Sequence, residues 1–158
     1  MADTSFSLRL IDVSKHFDGF DVSHVTLEVP RGCVVGLVGR NGAGKTTLMR
    51  MALGSLAPDS GRVEHTAKLG AVSAVCPYPT EMTVPDVERM HLLAFPAFDR
   101  ALFEKTCDAL DLPLDRKRTV KELSRGMGMK LQLAAAVATG ATCLVMDEPT
   151  AGLDPIVR

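Results

Sequence analysis

The chain has 158 residues, 46% of them apolar and 23% charged, with a formal net charge of −1. That length admits one domain with a hydrophobic core, and that balance excludes a disordered polyelectrolyte. A near-neutral chain has no general field to draw it to nucleic acid or acidic lipid, so any polyanion must be gripped locally and no nucleic-acid partner is expected.

The opening "MADTSFSLRL" carries an early acid and no long apolar stretch, which is not the pattern of a secretory signal. From residue 7 to 30 apolar positions alternate (Leu8, Leu10; Val25, Leu27, Val29) on either side of "DGFD", predicting half-buried antiparallel strands around a turn. "CVVGLV", 33–38, is a continuous apolar run and predicts a strand covered on both faces. A helix is expected after Gly44, ending near "GSLAPDSG", and "GRVE" and "KLGAV" read as two further short strands.

Residues of about 77–122 change character. "PYPTEMTVPD" is loop-like, "VERMHLLAF" and "RALFEKTCDALD" have helical spacing, and "LPLDRKRTVKEL" is charged. This stretch is expected to form a small helical subdomain inserted into an α/β body. "SRGMGMKLQLAAAVATG" opens on a capping serine and closes on Gly140, predicting a helix, and "TCLVMD" predicts a buried strand. The apolar stretch 131–146 is interrupted by Gln132 and Gly140 and is too short to span a bilayer, so a buried helix followed by a buried strand is expected. Cys33, Cys76, Cys107 and Cys143 form no C-x-x-C pair, and His16, His24, His65 and His91 lack metal-ligand spacing. Reduced structural thiols in a reducing compartment are expected, with Cys33 and Cys143 acting as small hydrophobes in their apolar runs.

Two motifs carry chemistry. "GRNGAGKTT", 39–47, matches G-x-x-x-x-G-K-[ST] through Gly39, Gly44, Lys45 and Thr46. A loop that wraps phosphate must turn backbone N–H groups inward, and glycines permit the dihedrals and the close approach this needs. The helix that follows adds unpaired N–H groups and the positive end of its dipole. Lys45 supplies a point charge for the β- and γ-phosphates, and the Thr46 hydroxyl can ligate Mg²⁺. "CLVMDEPT", 143–150, places Asp147 and Glu148 at the end of an apolar strand, where carboxylates need compensation. Magnesium bound to nucleotide provides it, with Asp147 holding the metal and Glu148 orienting or deprotonating the attacking water.

In their order these motifs resemble the ATP-binding cassette (ABC) ATPases. "GRNGAGKTT" is similar to their Walker A, "CLVMDEPT" to their Walker B with catalytic glutamate, "AGLDP" (151–155) to their D-loop and "LSRGM" (123–127) to their signature. The resemblance implies an α/β fold: a P-loop NTPase sheet with an N-terminal antiparallel β subdomain and a helical insertion, incomplete at its C-terminal end, in a single partial domain over 1–158. It implies ATP and Mg²⁺ as cofactors, bound by Gly39, Asn41, Gly42, Ala43, Gly44, Lys45, Thr46 and Thr47, with Phe17 under the adenine. A strand-end core phenylalanine is the other reading of Phe17. Glu148 and Lys45 would be catalytic, and Thr46 and Asp147 would hold the metal. Ser124, Gly126 and Asp154 would act across a head-to-tail pair of nucleotide-binding domains.

Three departures qualify the resemblance. Arg125 and Met127 replace the signature's glycine and glutamine, a form tied in the family to export-type partners. No Q-loop glutamine follows "KLGAV", near Ser73–Ala74. The chain ends at Arg158, before the family's switch histidine and the strand leading to it, so a truncated piece with poor stability and little hydrolysis is expected. The leading expectation is the energy-coupling subunit of an ABC transporter, peripheral to the cytoplasmic face of the cell membrane through membrane-spanning subunits. The alternatives are a hydrolysis-deficient dimerisation fragment and a soluble, non-transport ABC ATPase.

Overall fold

The computed structural model describes residues 5–113 and 118–149, which fall into two compact units dividing between Leu69 and Gly70.

In the first unit, β1 (Phe6–Phe17) and β2 (Phe20–Pro30) form an antiparallel hairpin through the two-residue loop Asp18–Gly19. Gly19 has φ +82°, a dihedral its missing Cβ makes inexpensive. The alternation read from the sequence holds in register, with Leu8 opposite Val29, Leu10 opposite Leu27 and Val13 opposite Val25. β3 (Ser60–His65) pairs with the other edge of β1, giving the order β2-β1-β3. Gly61 makes that pairing possible: a Cβ there would lie 2.3 Å from the Asp12 carbonyl oxygen. The helix α1 (Lys45–Ala52) lies against β1 and buries Leu48, Met51 and Ala52, while Leu8, Leu10, Val13 and Val22 are buried on the sheet.

One expected element does not form. Residues 33–40 take no strand conformation, and Val34 and Val38 are 99% and 95% exposed. Cys33 is exposed too, so it does not act as a core hydrophobe. Apolar composition supplies the tendency to pair, but a strand needs a neighbouring backbone. No described strand pairs with this run.

The second unit holds a two-stranded sheet of β4 (Leu69–Val72) and β5 (Cys143–Met146). β5 is half-buried along its whole length rather than buried. Gly70 is the close approach here, because a Cβ would meet Ala141, Leu144 and Ala136 at 2.8–3.0 Å. Helices α2 (Val84–Ala94), α3 (Arg100–Ala109) and α4 (Arg125–Ala138) complete it. Each begins where its sequence supplies a cap. Thr83 and Asp86 form a reciprocal capping box, Asp99 accepts from Leu102 N–H, and Ser124 accepts from Met127 N–H at 3.2 Å. Val84, Val87, Phe103, Cys107, Leu112, Leu131, Ala134 and Ala138 share one core. Full burial of a large apolar side chain of this kind stabilises by roughly 1.5–3 kcal/mol. The helical core therefore extends past the expected 77–122 stretch to include α4, whose last carbonyl region is tied to α3 by Asp99 N–H donating to Ala138 O at 2.8 Å. Among the described residues no helix is long and apolar enough to cross a membrane.

Candidate functional site

The loop 39–44 leads into α1 with Gly42 at φ +80° and Gly44 at φ +88°, both left-handed. Gly44 is the N-cap of α1 and no side chain caps that helix end. The N-cap residue thus supplies no side-chain acceptor to that turn, unlike the N-caps of α2, α3 and α4. An oxyanion suits that position, since it meets both the N–H groups and the positive end of the dipole. Lys45 Nζ donates to the carbonyls of Gly39 and Arg40 at 2.7 and 2.8 Å, which holds the ammonium at the loop's own rim. Asn41, Gly42 and Ala43 are exposed, and Thr46 and Thr47 follow in the first turn of α1. These groups fit a phosphate chain with its magnesium: backbone donors, one cation, and a hydroxyl for the metal.

This loop runs into α1 beside the hairpin. A Cβ on Gly44 would sit 2.8 Å from Val22 Cγ2 and 2.9 Å from Phe20 Cζ, so the start of α1 abuts the first residues of β2. Phe17, paired with Phe20 across the hairpin turn, stacks on it with centroids 6.3 Å apart and planes at 24°. Phe17 is 37% exposed, which removes the reading of it as a core phenylalanine. Phe20 was not among the sequence candidates. Its signal was its register, one aromatic on each side of a two-residue turn.

In the second unit, Asp147 and Glu148 follow β5, and Asp147 N–H donates to Val72 O at 2.9 Å, prolonging the pairing with β4. Glu148 has φ +49°, a left-handed conformation that a side chain occupies at a cost. Ser124 is the N-cap of α4 and Gly126 lies in its first turn. Arg125, the signature's departure, donates from Nε to Ala74 O at 3.2 Å and brings a terminal nitrogen to 3.5 Å from Glu148 Oε2. The segment where the Q-loop glutamine is absent is instead held by Gln132, which was also not foreseen as a site residue. Its Oε1 accepts from Ser73 N–H at 2.8 Å, and its Nε2 donates to Ser73 O at 3.2 Å. Gln132 is 3% exposed, and in sequence it looked like an interruption of an apolar stretch. Asp154 lies outside the described residues.

Nearby, burial raises the Cys76 thiol pKa and lowers that of His91, whose Nε2 meets the Tyr78 hydroxyl at 3.0 Å. The Cys107 thiol is pushed up to about 12, first by burial and then by neighbouring acids, so it stays a thiol in the helical core.

Residues 22–151 match the family model described as ABC transporter. The chain is 31% identical to the ABC transporter ATP-binding protein YcbN of Bacillus subtilis, over 91% of this chain and 51% of that protein. It is 30% identical to the bacitracin transport ATP-binding protein BcrA of Bacillus licheniformis, over 94% of this chain and 53% of that one. A solved structure titled as an inward-facing conformation of a putative metal-chelate type ABC transporter superposes with a TM-score of 0.78 at 25% identity, covering 95% of this chain and 62% of its own. The chain spans about half the length of the curated relatives it matches. It belongs to the ABC transporter ATP-binding family.

Proposed function

We propose that the protein binds ATP with magnesium and hydrolyses it as the energy-coupling subunit of an ABC transporter of the export type. The observation that carries this reading is the left-handed, uncapped start of α1 at Gly44, with Lys45 held on the carbonyls of the same loop. Gly39, Asn41, Gly42, Ala43, Gly44, Lys45, Thr46 and Thr47 bind the phosphates. Phe17 stacks on the adenine, Thr46 and Asp147 hold the metal, and Glu148 orients water. Bound magnesium would neutralise charge developing on the phosphates. Ser124, Gly126 and Asp154 act toward a second nucleotide-binding domain, and membrane-spanning subunits place the protein at the inner face of the membrane. The export direction draws on the "LSRGM" signature.

Calorimetric titration with MgATP tests the binding step, and phosphate release tests the chemical one. Lys45→Ala abolishes nucleotide binding. Glu148→Gln retains binding and slows hydrolysis by roughly 10²–10⁴, the range for a positioned base. Binding without phosphate release in the wild-type chain would favour a dimerisation module instead.

A further inference from the structure

We propose that Phe20 is a specificity-determining residue of this site: its ring fixes Phe17 as a platform for the nucleotide base and couples that platform to the phosphate loop at Gly44. This deepens the nucleotide reading and rests on it. Phe17 and Phe20 are the facing residues that close the hairpin, and directly opposed side chains on a β-ladder meet. Their rings stack at 6.3 Å with a 24° interplanar angle. Phe17 alone, 37% exposed at a strand end, would be free to change rotamer, and a base landing on it would bear the cost of ordering it. Phe20 removes that freedom before the ligand arrives. Its ring tip also lies 2.9 Å from the Cβ position of Gly44, beside the buried Val22. One aromatic ring thereby touches both the base platform and the residue that starts the phosphate-binding helix. The ligand class this arrangement selects is a nucleoside triphosphate read through the flat face of its base, in preference to a bare polyphosphate.

The test is calorimetric titration of the 158-residue chain with MgATP and, separately, with magnesium tripolyphosphate. Wild type binds ATP more tightly than tripolyphosphate. Phe20→Leu keeps apolar contact at Gly44 but cannot stack on Phe17, so its ATP affinity falls about five- to tenfold, the lower part of the range for base–aromatic stacking, while tripolyphosphate affinity is unchanged. Phe20→Tyr restores ATP affinity. Wild-type ATP affinity in Phe20→Leu overturns the proposal and leaves the phosphate loop standing. Equal loss of both ligands in Phe20→Leu also overturns it, because Phe20 would then only support the loop. A wild-type chain that binds neither probe overturns the nucleotide reading itself, and this inference with it.

Discussion

Replacing Gly44 by alanine tests whether the loop's backbone conformation, rather than its composition, makes the site. At φ +88° a Cβ is placed in left-handed space, which costs an L-residue roughly 1–2 kcal/mol. The same Cβ would lie 2.8 Å from Val22 Cγ2 and 2.9 Å from Phe20 Cζ. Val22 is β-branched and 6% exposed, so it has little room to yield. Overpacking of this kind adds about 1–3 kcal/mol. The two effects together come to about 2–5 kcal/mol, a large share of the roughly 5–15 kcal/mol that holds a typical domain. Thermal unfolding followed by far-UV circular dichroism should show a clear fall in midpoint, and titration with magnesium tripolyphosphate a loss of affinity. Adding Phe20→Leu to Gly44→Ala relieves one clash but not the dihedral, so it should recover part of the midpoint. A Gly44→Ala chain with the wild-type midpoint and wild-type tripolyphosphate affinity would refute the reasoning.

Three further predictions concern other parts of the molecule. Gln132→Leu keeps the buried volume but deprives Ser73 of both backbone partners, and because Ser73 is exposed water can replace part of the loss; urea unfolding should show about 1–2 kcal/mol of destabilisation, with faster amide exchange at Ser73. His91 is half-enclosed by Tyr78, Phe95 and Phe98, and burial depresses its pKa in the folded state. Its neutral form therefore favours folding above the unfolded value near 6.5, and stability is lost as pH falls from there through the folded pKa; melts between pH 7.5 and 5 should show that loss, and His91→Phe should flatten it. Val34 and Val38, at 99% and 95% exposure, offer exposed apolar surface to other molecules. Val38→Asp should reduce self-association of the 158-residue chain in light scattering while leaving its unfolding free energy, from urea denaturation, within about 0.5 kcal/mol of wild type, as surface changes do.

Much of this protein was legible without coordinates, because its signals are local. Period-2 alternation marked β1 and β2, cap residues marked the start of α4, and glycines at fixed offsets from Lys45 marked the left-handed turn into α1. Each depends only on backbone sterics and short-range hydrogen bonding, which neighbouring residues determine. The readings that needed the folded chain depend on partners distant in sequence. "CVVGLV" carries the composition of a buried strand, yet pairing requires a second backbone, and the described strands leave it exposed. Gln132 looked like a flaw in an apolar stretch until the fold brought Ser73, 59 residues away, onto its amide. Phe20 gained its place from the register of a hairpin and the path of the following loop back to Val22. The sequence alone determined which residues can turn and cap; tertiary structure decided which of them meet, because contact between distant residues follows from how elements pack and not from what any one segment contains.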